Sequence, residues 1–217
     1  SVTAPYKAPA AAMCHRLADD AATTGVVNTV VAEPHGHLVG HNTDVEGVLV
    51  ALASADVRRG EARPAVVLGT GGAARAGAVA LLRLGFQVTM LGRSLEAVRD
   101  FAKGTGVRLA SLSTAVLDEL RPAVVVQATP VGSLGRDVDE RLLPDWRPQP
   151  GTVVFDMVYQ PHWTRFLRDA AAAGAIAVPG AAMFLGQARA QVRWFTGATV
   201  EPELLRQCLA GTVAAMR

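Results

Sequence analysis

Cysteine, long apolar runs and an excess of charge of one sign are all scarce in this chain, and each scarcity removes a class of function. Only two of the 217 residues are cysteine. Cys14 and Cys208 stand alone without C-x-x-C spacing, so neither a disulfide framework nor a zinc site is indicated, and a reducing cytoplasm is the expected compartment. No apolar run reaches the roughly 18 residues of a membrane span and no signal peptide is expected, so no membrane partner is expected. The formal net charge is +2, with basic residues scattered among acidic ones, which argues against nucleic acid as a partner. No internal repeat or low-complexity tract stands out beyond an enrichment in alanine. The chain also lacks an initial methionine: it opens on Ser1-Val2-Thr3-Ala4-Pro5-Tyr6-Lys7, which reads as the end of a strand, so a preceding piece is expected.

What the chain does have is hydrophobic residues, which make up half of it and suffice for a sizeable core. Its length leaves one large or two small domains open. The most informative stretch is Val66-Val67-Leu68-Gly69-Thr70-Gly71-Gly72-Ala73-Ala74-Arg75. It joins a β-branched run to an Ala- and Leu-rich segment reaching Leu84, so it reads as strand, turn and helix. Gly69 suits a tight turn, Gly71 lets the backbone approach a pyrophosphate, and Ala74 keeps helix and strand close, while the new helix offers its unpaired N–H groups to phosphate. The next strand, Gln87–Leu91, ends without the acid that accepts the ribose 2′-hydroxyl in NAD-binding proteins; Gly92-Arg93-Ser94 follows instead. Arg93 lies 24 positions after Gly69, where a guanidinium can donate to a 2′-phosphate, so NADP is preferred over NAD. The plainer alternative leaves Arg93 facing water at a strand end.

Around this centre the pattern predicts an amphipathic helix over residues 8–22, a strand over 25–32, a turn carrying His35 and His37, and a returning strand 38–40. The two turn histidines lack carboxylate or cysteine company and are read as surface rather than metal ligands. A helix over 45–55 follows, with Thr43 or Asp44 near its N-cap, and then a polar connector over 58–64. Beyond the second strand the pattern predicts a helix 96–103, a strand 107–109 and a helix 114–120. A buried strand 123–128 then runs into the ligand-side loop Thr129-Pro130-Val131-Gly132. Residues 133–150 read as loop with Trp146 packing, followed by a strand 152–159, a helix 163–173 and a strand 176–178. Helices over 180–195 and 201–216 close the chain.

Taken together, these stretches resemble the shikimate dehydrogenase family. The likeness is carried by Ser1 to Lys7, Val27-Asn28-Thr29, Asn42-Thr43-Asp44, Gly69 to Arg75, Gly92-Arg93-Ser94, Ala128 to Gly132, Asp156-Met157-Val158-Tyr159-Gln160-Pro161 and Gln187-Ala188, in family order along the whole chain. The resemblance implies an α/β fold: a Rossmann-type doubly wound parallel sheet binding NADP over residues 44–179, plus a smaller α/β substrate domain built from residues 1–43 and 180–217. It implies reduction of 3-dehydroshikimate to shikimate with NADPH, in the biosynthesis of chorismate and the aromatic amino acids. Lys7 is then the catalytic lysine and Asp44 its partner. Thr3, Asn28, Gln187 and Tyr159 are substrate-side groups, Tyr159 lying at the nicotinamide edge. Gly69, Gly71, Gly72, Ala73, Arg93, Ser94, Thr129, Met157 and Gly180 are cofactor contacts. Against the family pattern, Ser1 stands where asparagine is common, the stretch Gly180 to Gln187 is a looser match, and the opening strand and loop with a carboxylate-gripping serine pair are absent. The expectation is a chain lacking roughly the first quarter of that family.

The chemistry agrees with the assignment. Oxidising a secondary alcohol sends a hydride to the nicotinamide while the hydroxyl proton needs a positioned acid–base group, a contribution of about 10²–10⁴-fold. A lysine beside a carboxylate offers that, or acts mainly as an electrostatic stabiliser of the developing oxyanion. Without the family pattern, Lys7 reads as a surface lysine and Asp44 as a helix cap. Arg75 stays open between a second phosphate contact and a surface position. Quinate or aminoshikimate dehydrogenases would share these motifs, and so would a non-catalytic NADP-binding paralogue, although retention of both Lys7 and Asp44 argues against the last. The sequence leaves monomer and homodimer open.

Overall fold

The computed structural model describes residues 1–135 and 138–215. The chain begins with α1 (Lys7–Met13), β1 (Arg16–Leu17), α2 (Asp19–Thr24), β2 (Thr29–Ala32), β3 (Leu38–His41) and α3 (Asp44–Ala53). Its three strands form a small sheet in the order β1-β3-β2, with β1 parallel and β2 antiparallel to β3. The single helix expected over 8–22 is therefore two helices separated by a strand. Local composition favours a continuous helix, but Arg16 and Leu17 pair with Val39 and Gly40, and His15 N–H donates to Leu38 O at 2.9 Å. A long-range ladder thus overrides the helical pattern. The strand expected over 25–32 is likewise shortened to β2, because Gly25, in the left-handed region, ends α2 and the segment through Asn28 turns before pairing starts. Residues 1–6 carry one strand-like bond, Val2 N–H to Asn28 O at 2.7 Å, and no strand.

From residue 64 onward the chain alternates strands and helices. Strands β4 (Pro64–Leu68), β5 (Gln87–Gly92), β6 (Arg108–Ser111), β7 (Val124–Gln127), β8 (Val153–Asp156) and β9 (Ile176–Val178) form one parallel sheet in the order β6-β5-β4-β7-β8-β9. Helices α4 (Gly72–Arg83), α5 (Arg99–Thr105), α6 (Thr114–Leu120) and α7 (Arg165–Ala172) connect them. The inner strands β4, β7 and β8 are buried on both sides, which is why they read as apolar runs. Ala65, Val67, Val126 and Phe155 pack with Val48, Leu52, Val79 and Phe101 of α3, α4 and α5. On the opposite face Val66, Leu68, Val125 and Val154 pack with Leu117 and Leu167 of α6 and α7, and with Trp146 from the long loop, which stacks on Phe166. This is the doubly wound α/β arrangement expected from the sequence, with the strand order reversing beside β4.

The chain ends in α8 (Ala181–Thr196) and α9 (Pro202–Ala215); Met216, where the pattern extended the last helix, lies outside the described residues. Helix α8 crosses α3 backbone to backbone. A Cβ on Gly47 would lie 2.6 Å from Met183 O, and one on Gly186 would lie 3.0 Å from Gly47 Cα. This crossing joins the start of α3 to residues near the chain's end. Gly47→Ala should therefore lower stability by about 1–3 kcal/mol through overpacking, despite the better helix propensity of alanine; urea unfolding of the variant against the native chain measures it.

Candidate active site

Asp44 is the first residue of α3, where the positive end of the helix dipole favours its carboxylate. Its side chain is 2% exposed. Lys7, the first residue of α1 and 15% exposed, donates from Nζ to Asp44 Oδ2. Asn28 Nδ2 lies 2.8 Å from the other carboxylate oxygen and 2.9 Å from Thr43 Oγ1, while Thr43 N–H donates to Asn28 Oδ1 at 2.8 Å. Thr43 sits at the N-cap position, as expected, but the cap bond comes from elsewhere: Asp44 N–H donates to Asn42 Oδ1 at 3.0 Å. A carboxylate at this depth is tolerated because it is both paired and hydrogen-bonded.

The pair opens on a cavity of about 790 Å³ between the small sheet and the large one. Thr3 and Gln187 line it on the side of the chain's ends, and Tyr159 lines it from the loop after β8. Gly71, Gly72, Ala73, Met157 and Gly180 line it on the side of the large sheet. The Lys7 side chain bridges the two, for a Cβ on Gly72 would stand 3.4 Å from Lys7 Cδ. Asn28 lies behind the lining, its Nδ2 3.3 Å from Gln187 Oε1. Tyr159 is 44% exposed and stacks on Phe184 with ring centroids 4.8 Å apart.

Four of the expected cofactor residues fall outside the cavity wall. Gly69 shapes the turn from behind, with φ +121° and the position of its missing Cβ 3.2 Å from Ala128 O. Thr129 N–H donates to the side chain of Gln127 at the end of β7. Arg93 and Ser94 stand exposed just past the end of β5. The turn itself fits a dinucleotide diphosphate: Gly71 is the N-cap of α4, nothing lies within 4 Å of where its Cβ would be, and no acidic residue occupies the first turn.

Arg75 is half-buried and lines the cavity, but its guanidinium is committed to backbone carbonyls. Its guanidinium donates to Thr24 O at 3.2 Å and Ala97 O at 2.7 Å and lies over the Phe101 ring, tying α4 to α2. Burial lowers its pKa from the ordinary value, and its Nε is buried without a partner among the described residues. His37 of the β2–β3 turn stacks on His15 at 4.9 Å, and among the described residues no group of three or more His, Cys, Asp or Glu is placed to hold a metal ion.

Three groups escaped the sequence reading. Gln191 Nε2 lies 3.2 Å from Asn28 O and 3.1 Å from Thr29 Oγ1. Its four-residue spacing from Gln187 puts both amides on one face of α8, a signal the sequence did carry. Phe184, which supports Tyr159, carried no such mark. The third is the Asp156–Gln127 pair at the carboxyl ends of β8 and β7. Asp156 accepts from Thr164 Oγ1 at 2.6 Å and Val158 N–H at 2.9 Å, and Gln127 Nε2 lies 3.3 Å away. These bonds join the Thr129 loop to the Met157–Tyr159 loop, so two walls of the cleft share one anchor.

A parallel sheet of this strand order, with a glycine-rich turn at its switch point and a lysine–aspartate pair across the cleft, defines a Rossmann-type oxidoreductase. No family model matches the chain. Individual proteins do: a shikimate dehydrogenase (NADP(+)) from Acidiphilium cryptum is 40% identical over 214 residues, covering 97% of this chain and 75% of that protein. The solved structure of a shikimate 5-dehydrogenase from Thermus thermophilus, in complex with NADP(H) and shikimate, is 32% identical with a TM-score of 0.76, covering 94% of this chain and 75% of that one. A quinate dehydrogenase from Corynebacterium glutamicum, in complex with NAD, is 27% identical with a TM-score of 0.78, covering 96% of this chain and 76% of that one. The chain belongs to the shikimate dehydrogenase family.

Asp156 also predicts a pH dependence. Burial raises its pKa to about 7, against the opposing bonds from Thr164 and Val158. The folded chain thus holds a proton that the unfolded chain, with an ordinary carboxylate near 4, releases earlier. That contribution is complete below about pH 4 and is lost as pH rises toward 7. Asp156→Asn removes the titration, so the stability of the native chain relative to this variant should fall by about 2–3 kcal/mol between pH 5 and 8. Urea unfolding of both proteins at the two pH values tests it; a constant difference would contradict the burial argument.

Proposed function

We propose that this chain interconverts 3-dehydroshikimate and shikimate with NADP, working as a reductase in the biosynthesis of chorismate and the aromatic amino acids, with Lys7 and Asp44 as its acid–base pair. The observation that carries the reading is that Lys7 Nζ, bound to Asp44, faces the same cavity as the Gly71–Gly72 turn. Residues 44–179, holding the six-stranded sheet, act as the NADP domain, and residues 1–43 with 180–217 as the substrate domain. The small sheet and the α8 crossing support that division. No disulfide joins Cys14 and Cys208, in keeping with a reducing cytoplasm. The small molecules are the partners this reading requires.

When bound, NADPH supplies the hydride that adds to the ketone carbon. Lys7 delivers a proton to the oxygen on which charge develops. Its ammonium has three donors; Asp44 takes one and fixes the direction of the others toward the cavity. Asn28 and the α3 N-terminus hold Asp44 in turn, so the proton donor is aimed by buried groups rather than by water. Gln187 and Thr3 offer hydrogen bonds to substrate hydroxyls, and Tyr159 closes the side next to Met157 and Gly180. Gly69, Gly71, Gly72 and Ala73 carry the diphosphate. Thr129 would support the turn from behind the wall, and Arg93 with Ser94 would meet the 2′-phosphate.

A quinate substrate is the second reading, favoured by the likeness to the solved quinate dehydrogenase. Initial rates with shikimate and quinate, each with NADP and NAD, separate the two; faster turnover of quinate with NAD would reverse the assignment. Lys7→Ala should lower kcat by about 10²–10⁴-fold while leaving the NADPH dissociation constant within about threefold. Turnover within tenfold of the native chain would remove Lys7 from the acid–base role. Arg93→Ala should weaken NADPH by about 10–100-fold and leave NADH unchanged, measured by fluorescence titration, because one charge-assisted contact is lost.

A further inference from the structure

The end of β5 governs which adenosine ribose the cleft can read, and here it is bare. In nucleotide-binding sheets of this order, an acid near this strand end accepts a ribose 2′-hydroxyl. The last residue of β5 is Gly92, beside the glycine-rich turn, where Gly69 N–H donates to Leu91 O at 2.8 Å. Its φ lies outside the left-handed region, so backbone conformation does not require glycine. Space does. A Cβ on Gly92 would overlap the Cγ2 methyl of Thr70, and it would also stand 3.5 Å from Leu95 Cδ2 and 3.6 Å from Ser94 O. Thr70 sits between Gly69 and Gly71 and lines the cavity. Its β-branched side chain carries two heavy γ atoms, so only one of its three staggered χ1 wells would clear the position.

We propose that Thr70 is a cofactor-specificity residue of this chain: it occupies the space a side chain at position 92 would need, denies a place to an acid that reads a 2′-hydroxyl, and leaves Arg93 and Ser94 as the groups presented to a 2′-phosphate. The inference rests on the NADP reading above. It concerns Thr70 rather than the strand end alone, because an acid at position 92 can serve only if position 70 makes room for it.

The test uses the full chain as wild type, Thr70→Ala, Gly92→Asp and the double variant. Each is measured for NADPH and NADH dissociation constants by nicotinamide fluorescence and for its thermal midpoint. Gly92→Asp alone should lose NADPH affinity and thermal stability without gaining NADH. The double variant should recover the midpoint and bind NADH about tenfold more tightly than wild type, the scale of one charge-assisted hydrogen bond. Equal NADH affinity in Gly92→Asp and the double variant overturns the proposal, and so does a folded double variant with no gain for NADH. If Gly92→Asp does not fold, Gly92→Ala carries the same test through its midpoint, which should fall on its own and recover when combined with Thr70→Ala; a fall of equal size in both settings overturns it. A wild-type protein that binds NADH as tightly as NADPH defeats the cofactor reading instead, and the midpoints still decide whether Thr70 fills the space.

Discussion

The buried carboxylate of Asp44 is the constraint around which the cleft is arranged. Removed from water, it requires compensation from several directions: Lys7 Nζ on one oxygen, Asn28 Nδ2 on the other, and the N-terminus of α3 behind it. Each partner comes from a different element, so meeting the needs of one charge brings α1, the start of β2 and α3 together. The same group that organises this corner of the fold also fixes the direction of the Lys7 ammonium.

A second organising principle is the use of bare backbone where two surfaces must approach. At Gly47 and Gly186 it lets α3 and α8 cross closely enough to bring Gln187 toward Asn28 and Asp44. At Gly71 it opens the start of α4 to the cleft, and at Gly92 it gives room to Thr70. Elsewhere polar bonds, rather than small residues, hold the segments in place. Asp156 and Gln127 tie the loops after β8 and β7 into one unit, and Arg75 fastens α4 to α2 through main-chain carbonyls.

The large sheet was legible in the sequence because its strands lie between two layers of helices. Val66–Leu68, Val124–Val126 and Val153–Phe155 read as short apolar runs because they are buried on both faces. The N-terminal region was less legible for the opposite reason. β1 has only two residues, held by pairing with Val39 and Gly40, and no local pattern records a partner more than twenty residues away. The Ala-rich composition around it favours helix, and only the ladder to β3 breaks the helix there.

The site divides in the same way. By itself the sequence determined the glycine-rich turn, the missing acid after the second strand, and the presence of Lys7, Asp44, Asn28 and Gln187 in family order, because each rests on residue type and local spacing. Only the tertiary structure decided that Lys7 reaches Asp44, that Asn28 lies behind the cavity wall, that Arg75 is committed to two carbonyls, and that a Cβ at position 92 would overlap the Thr70 methyl. These are contacts between segments far apart in the chain, governed by burial and exclusion of volume, and a linear pattern of residue types carries no measure of either.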